Sequence, residues 1–152
     1  MGRNKYPEET VAKILDAALE LFCAQGYEGT SIQDIVDRLD GMTKGAVYHH
    51  FKSKEEIFNA AFDRAMAPIV EQRRSTLGIG NMTGAQKLKR LYAPESVVPQ
   101  IELWARMHPA ADPVKSSRLL AMQYQGSFDE SADGCLLPVI EEGIADGSIA
   151  CK

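Results

Sequence analysis

The chain has 152 residues, 45% of them apolar and 25% charged, with a net charge of −4. That length allows one or two small domains with a real core, and no apolar run approaches a membrane-spanning length. The opening MGRNKYPEET lacks the apolar stretch of a signal peptide, so a cytoplasmic protein without membrane partners is expected. Cys23, Cys135 and Cys151 are widely spaced and form no CxxC pair, which argues against a zinc or redox motif; Cys23 reads as a small buried hydrophobe.

The first predicted helix runs from about Pro7 to Gln25. Proline suits its first position, Glu8 and Glu9 favour the positive end of its dipole, and Val11, Ile14, Leu15, Ala18, Leu21 and Phe22 form one apolar stripe. Gly26 is the expected left-handed terminator. A second helix starts at Thr30, with Gln33 completing a capping box and Ile32, Ile35, Val36 and Leu39 facing inward. Gly41 permits the following turn, and a third helix, capped by Thr43, reaches about His50. Ser53, with Glu56 as its reciprocal partner, caps a fourth helix carrying Ile57, Phe58, Ala61, Phe62 and Ala65.

Pro68 is expected to kink or end that helix. Residues 75–84 hold three glycines and an asparagine and read as a linker. Thr83 and Gln86 cap a short helix through about Tyr92, Pro94 opens another over roughly 95–107, HPAADP is a loop, and a longer helix covers about 114–142, bent at Gly126 or Pro138. No stretch alternates with period two, so the chain is expected to be all-α.

Residues 30–54 carry the functional signal. The third helix places Lys44, Gly45, Tyr48, His49 and His50 within two turns, and residues 41–54 contain Lys44, Lys52 and Lys54 but no acid. A small helix so loaded suits the DNA major groove. The basic patch is local in an acidic chain, so stable binding calls for two copies of it.

The stretches ILDAALELFCAQGYEGTSIQDIV and KGAVYHHFKSKEEIF, within residues 10–58, resemble the TetR family of bacterial transcriptional regulators over about a third of the chain. The resemblance implies a three-helix helix-turn-helix head over residues 1–54. A connecting helix would lead from it into an α-helical effector-binding and dimerisation domain over 55–152. It implies a homodimeric repressor released from double-stranded operator DNA by a small-molecule effector. DRLDGMTKG is one residue longer than the commonest family turn, which puts base-by-base transfer in doubt. PVIEEGIADGSI is similar to the late part of the family's seventh helix, which implies a chain shortened at its C-terminus and lacking the two helices that usually form the dimer interface.

By the same resemblance, Lys44 and Gly45 approach base edges, and Tyr48 and His49 contact bases or phosphates. His50, Lys52 and Lys54 hold the DNA backbone, and Thr30 and Thr43 offer contacts at helix starts. Taken singly, each of these residues has an ordinary structural use, with Tyr48 packing at a helix junction and the lysines merely solvated; Phe51 is assigned to the core. The resemblance also points to Phe62, Met66, Trp104, Met107 and Tyr124 as lining an apolar effector cavity, although a core of the same residues is the commoner arrangement. Adjacent His49 and His50 project about 100° apart on a helix and cannot readily chelate one ion. No metal, cofactor or enzymatic activity is expected, because no nucleophile–base pair or phosphate loop is present. The competing reading is a protein of the same fold that binds small molecules or partners and has lost sequence-specific DNA binding.

Overall fold

The computed structural model describes residues 7–107, 114, 117, 121 and 132–150, and these are helical or loop, with no strand among them. The helices are α1 (Pro7–Gln25), α2 (Ile32–Asp37), α3 (Lys44–His50), α4 (Lys54–Leu77), α5 (Gly84–Leu91), α6 (Pro94–Met107) and, after a π-turn at Ala132–Leu136, α7 (Leu137–Ala145). The HPAADP loop and most of the long helix expected over 114–142 lie outside the described residues. Pro138 sits in the first turn of α7, directly after the π-turn.

The chain divides into two compact units, Met1–Ala65 with Ala105–Ser117, and Met66–Trp104 with Arg118–Lys152. In the first, the α1 stripe buries Ile14, Leu15, Ala18 and Phe22 together with Ile35 and Val36 of α2, Val47 of α3, and Ile57, Phe58 and Ala61 of α4. The Phe22 and Phe58 rings meet edge to face at 5.0 Å, and Tyr27 lies 5.1 Å from Phe58. Truncating either phenylalanine to alanine removes a fully buried ring, a loss of about 3–5 kcal/mol. Gly26 ends α1 at φ 85°, and Gly41 turns the chain between α2 and α3 at φ 71°, where the Met42 N–H bonds the Leu39 carbonyl.

Two sequence expectations shift. The cap of α2 is Ser31 rather than Thr30: its hydroxyl accepts from the Asp34 N–H at 3.1 Å, and the Asp34 carboxylate accepts from the Ser31 N–H at 2.7 Å. Thr30 instead turns inward, 1% exposed, and its hydroxyl donates to the Gly26 carbonyl at 2.7 Å. With the Thr30 side chain turned inward toward Gly26, Ser31 supplies the cap of α2. The second shift concerns α4, which runs unbroken through Pro68. Pro68 is exposed, as is Arg64 one turn earlier, so the carbonyl deprived of its donor lies on the wet side of the helix, where water can satisfy it.

In the second unit the glycine-rich segment connects α4 to α5, with Leu77 still helical. The capping box of Thr83 and Gln86 forms as expected. Helix α5 crosses α7 at two glycines. A Cβ on Gly84 would overlap the backbone nitrogen and Cα of Gly143, and one on Gly143 would overlap Ile149. The end of α7 also caps the start of α5, since the Asp146 carboxylate accepts from the Gly84 N–H at 2.8 Å and the Ser148 hydroxyl from the Ala85 N–H at 3.0 Å. Beside this crossing Lys87 is 3% exposed. Its ammonium reaches both Glu142 carboxylate oxygens at 2.7 Å and the Leu77 carbonyl at 2.9 Å.

Candidate nucleic-acid interface

Helix α3 is short and two-faced because one residue anchors it. Val47 is fully buried, and Phe51, which ends the helix, is 6% exposed. The Thr43 hydroxyl accepts from the Ala46 N–H at 3.2 Å, which fixes the start of the helix; such a cap contributes about 1 kcal/mol. With that register set, Thr43, Lys44, Gly45, Tyr48 and His49 are exposed together, and His50 is half-buried with its ring 5.2 Å from that of His49. Tyr48 is 47% exposed and does not pack into a helix junction.

Among the described residues, nothing requires glycine at position 45. Its φ is not in the left-handed region, and a Cβ there would meet only the Thr43 hydroxyl, at 4.0 Å. Glycine inside a helix costs about 0.5 kcal/mol or more relative to alanine.

Lys44 and Lys52 are exposed, and no acidic side chain stands between residues 41 and 54. Lys52 also supplies its backbone N–H to the Glu56 carboxylate at 2.6 Å. That carboxylate was expected to bond the Ser53 N–H; only the Ser53 hydroxyl half of the box forms, accepting from the Glu56 N–H at 3.1 Å.

Two residues of the expected interface point elsewhere. Thr30 is buried, and its hydroxyl is engaged within the turn. Lys54 is drawn into the protein: its Nζ donates to the carbonyls of Tyr27 at 2.6 Å and Thr30 at 2.9 Å, and lies 4.2 Å from the centre of the Tyr27 ring. Burial pushes its ammonium below the ordinary lysine range, partly opposed by Glu28. The remaining residues of the set, Thr43, Lys44, Gly45, Tyr48, His49, His50 and Lys52, stay together on or beside α3.

Of the residues expected to line an effector cavity, Phe62 and Met66 are buried in α4. Trp104 and Met107 fall in the last turns of α6, and Tyr124 lies outside the described residues. A cavity of about 230 Å³ in the second unit is lined instead by Arg73, Leu91, Tyr92, Cys135 and Leu136. Cys23, read from the sequence as buried, is half-buried; burial raises its thiol pKa, opposed by Arg106. Sequence reading missed Lys87 as a core residue. Gly84, Lys87 and Leu91 share one helical face and all three are buried, but a lysine at such a position is ordinarily solvated and gave no local signal.

Residues 14–61 match the family described as bacterial regulatory proteins, tetR family. The chain is 42% identical over 72 residues to the HTH-type transcriptional regulator SrpR of Pseudomonas putida, covering 47% of this chain and 33% of that one. It is 32% identical over 117 residues to the HTH-type regulator YezE of Bacillus subtilis, covering 66% of this chain and 59% of that one. The chain thus spans between a third and three-fifths of these relatives. A solved Clostridium perfringens structure, assigned as a fatty acid metabolism regulator, shares the fold with a TM-score of 0.55 at 21% identity, covering 92% of this chain and 74% of that one. Over residues 14–61, then, this chain is similar to the TetR family of bacterial regulatory proteins.

Proposed function

We propose that this protein is a DNA-binding transcriptional regulator, a homodimeric repressor that leaves its operator when a small molecule binds. Residues 1–54 read DNA. Residues from 55 onward bind the effector and pair the subunits, with α4 carrying the signal between these roles. The observation that carries the reading is Gly45, a glycine on an exposed, capped helix that nothing among the described residues requires. Backbone approach to base edges supplies the missing reason, and Lys44, Tyr48 and His49 flank it with donors and an aromatic face. Two copies would set two α3 helices into successive major grooves of a palindrome. Release follows if the effector favours a head spacing that fits DNA poorly.

Selection of genomic fragments on the purified protein at physiological salt tests this. A palindrome with half-sites about one helical turn apart is expected. Enrichment of no sequence would favour the competing reading, a protein of this fold that binds small molecules or partners without reading DNA. Within the site, Lys44→Ala should relax preference at one base pair by about 1–3 kcal/mol. Lys52→Ala should weaken all sequences alike and lower the salt slope by about one unit. Gly45→Ala has a distinctive signature: the head melts later, its helix gaining about 0.5 kcal/mol, while operator affinity falls. For the effector, Trp104 is the sole tryptophan and lies in the same segment as Met107. Its fluorescence should change with any ligand that releases DNA, and a releasing ligand that leaves it unchanged removes Trp104 from the effector site.

A further inference from the structure

We infer that Lys54 is a positioning residue for DNA recognition, acting through the α1–α2 turn rather than through the phosphate backbone; this rests on the DNA-binding reading above. The carbonyls of Tyr27 and Thr30 converge on its ammonium at 2.6 and 2.9 Å, and the Tyr27 ring covers it at 4.2 Å. An ammonium has three protons, and two of them are engaged within the protein. The side chain is half-buried, whereas Lys44 and Lys52 are exposed. Only one proton is left for any outside acceptor, while two oxygens and an aromatic face of the protein hold the ammonium in place.

The same geometry shows what the clasp holds. Thr30 bonds back to Gly26 through its hydroxyl and to Tyr27 through its N–H at 3.4 Å, so the turn is folded on itself with its carbonyls aimed at one point. The next residue, Ser31, is the cap of α2. Lys54 is the first residue of α4. One cation therefore ties the start of α4 to the start of α2, and α2 contacts α3 directly. The tilt of the recognition helix against DNA follows from that chain of contacts, and loss of the clasp lowers affinity for every sequence without removing a charge–phosphate contact.

Two variants distinguish the roles, measured well below the melting transition and per active molecule. Lys54→Met and Lys54→Arg should both weaken operator binding about tenfold, with the slope of log K against log salt unchanged from wild type. Arginine keeps the charge, but its planar fork does not fit two converging carbonyls. The Ser31 and Asp34 amides should exchange faster in both variants. A slope lowered by about one unit in Lys54→Met, or wild-type affinity in Lys54→Arg, would overturn the inference and return Lys54 to the phosphate contacts. Unchanged affinity in both variants would also overturn it, leaving the clasp as stability alone. Wild-type protein that enriches no DNA sequence overturns the DNA-binding reading, and this inference with it; the other outcomes overturn the inference alone.

Discussion

The two units bury different things. The head, α1 to α3 with the first turns of α4, has an apolar core of aliphatic side chains around Phe22 and Phe58, and its lysines are exposed or, for Lys54, half-buried at the edge. Among its described residues the second unit buries Met66, Ile69, Leu91, Leu103, Cys135 and Val139 and, unlike the head, a 3% exposed lysine, Lys87, held by Glu142 and the Leu77 carbonyl next to a glycine-to-glycine helix crossing. An apolar core tolerates change roughly in proportion to the volume removed, whereas a buried charge responds steeply to loss of its partner. The stability of the head thus rests on its apolar core and helix caps, and the second unit adds a dependence on a few polar contacts.

The largest test of that contrast is Glu142→Ala. It leaves Lys87 buried without its counter-ion and should destabilise the second unit by about 3 kcal/mol in denaturant melts. Lys87→Met should cost less, because Glu142, whose side chain is 43% exposed, returns to water; equal losses from the two variants would mean the pair is not asymmetric. Next in size is Gly84→Ala, whose Cβ has no room against Gly143. It should lower the same transition by about 2 kcal/mol through overpacking, and a neutral result would show that α5 and α7 can separate freely.

In the head, Thr43→Ala should lose about 1 kcal/mol and fray α3 before the other helices, visible as faster exchange of the Ala46 amide. The smallest effect compares caps across the units. Asp34 is held below the usual carboxylate range by the Ser31 N–H and hydroxyl, and Asp146 by the Ser148 hydroxyl and then the Gly84 N–H. A carboxylate depressed in the folded state stabilises above its unfolded pKa of about 4 and loses that contribution as pH falls through its lower folded value. Both units should therefore soften below about pH 4. Asp34→Asn should flatten that response only for amides at the start of α2, and Asp146→Asn only for those at the start of α5.

Legibility followed the range of the interactions. The limits of α1, the cap of α3, the capping box of α5 and the proline start of α6 were all readable, because each is set by residues within one turn of one another. The α2 cap was misplaced by one residue, because Thr30 and Ser31 are both good caps and only packing shows that the Thr30 side chain turns inward. For the interface, residue type and helical spacing placed Lys44, Tyr48 and His49 on one accessible face, and the family resemblance added Thr43 and Gly45, which are exposed beside them. The resemblance also assigned Lys54 outward, and nothing local shows that carbonyls 24 and 27 residues earlier would meet its ammonium.

The sequence by itself determined the all-helical class, the two-faced α3 and the local positive charge, since periodicity, caps and composition act over a few residues. Only the tertiary structure decided which lysines are exposed, that Thr30 is buried, that α4 passes through Pro68, and that Lys87 lies beneath a glycine crossing. Each of those depends on atoms distant in sequence, or on which side of a helix faces water, and neither is fixed until the elements have packed.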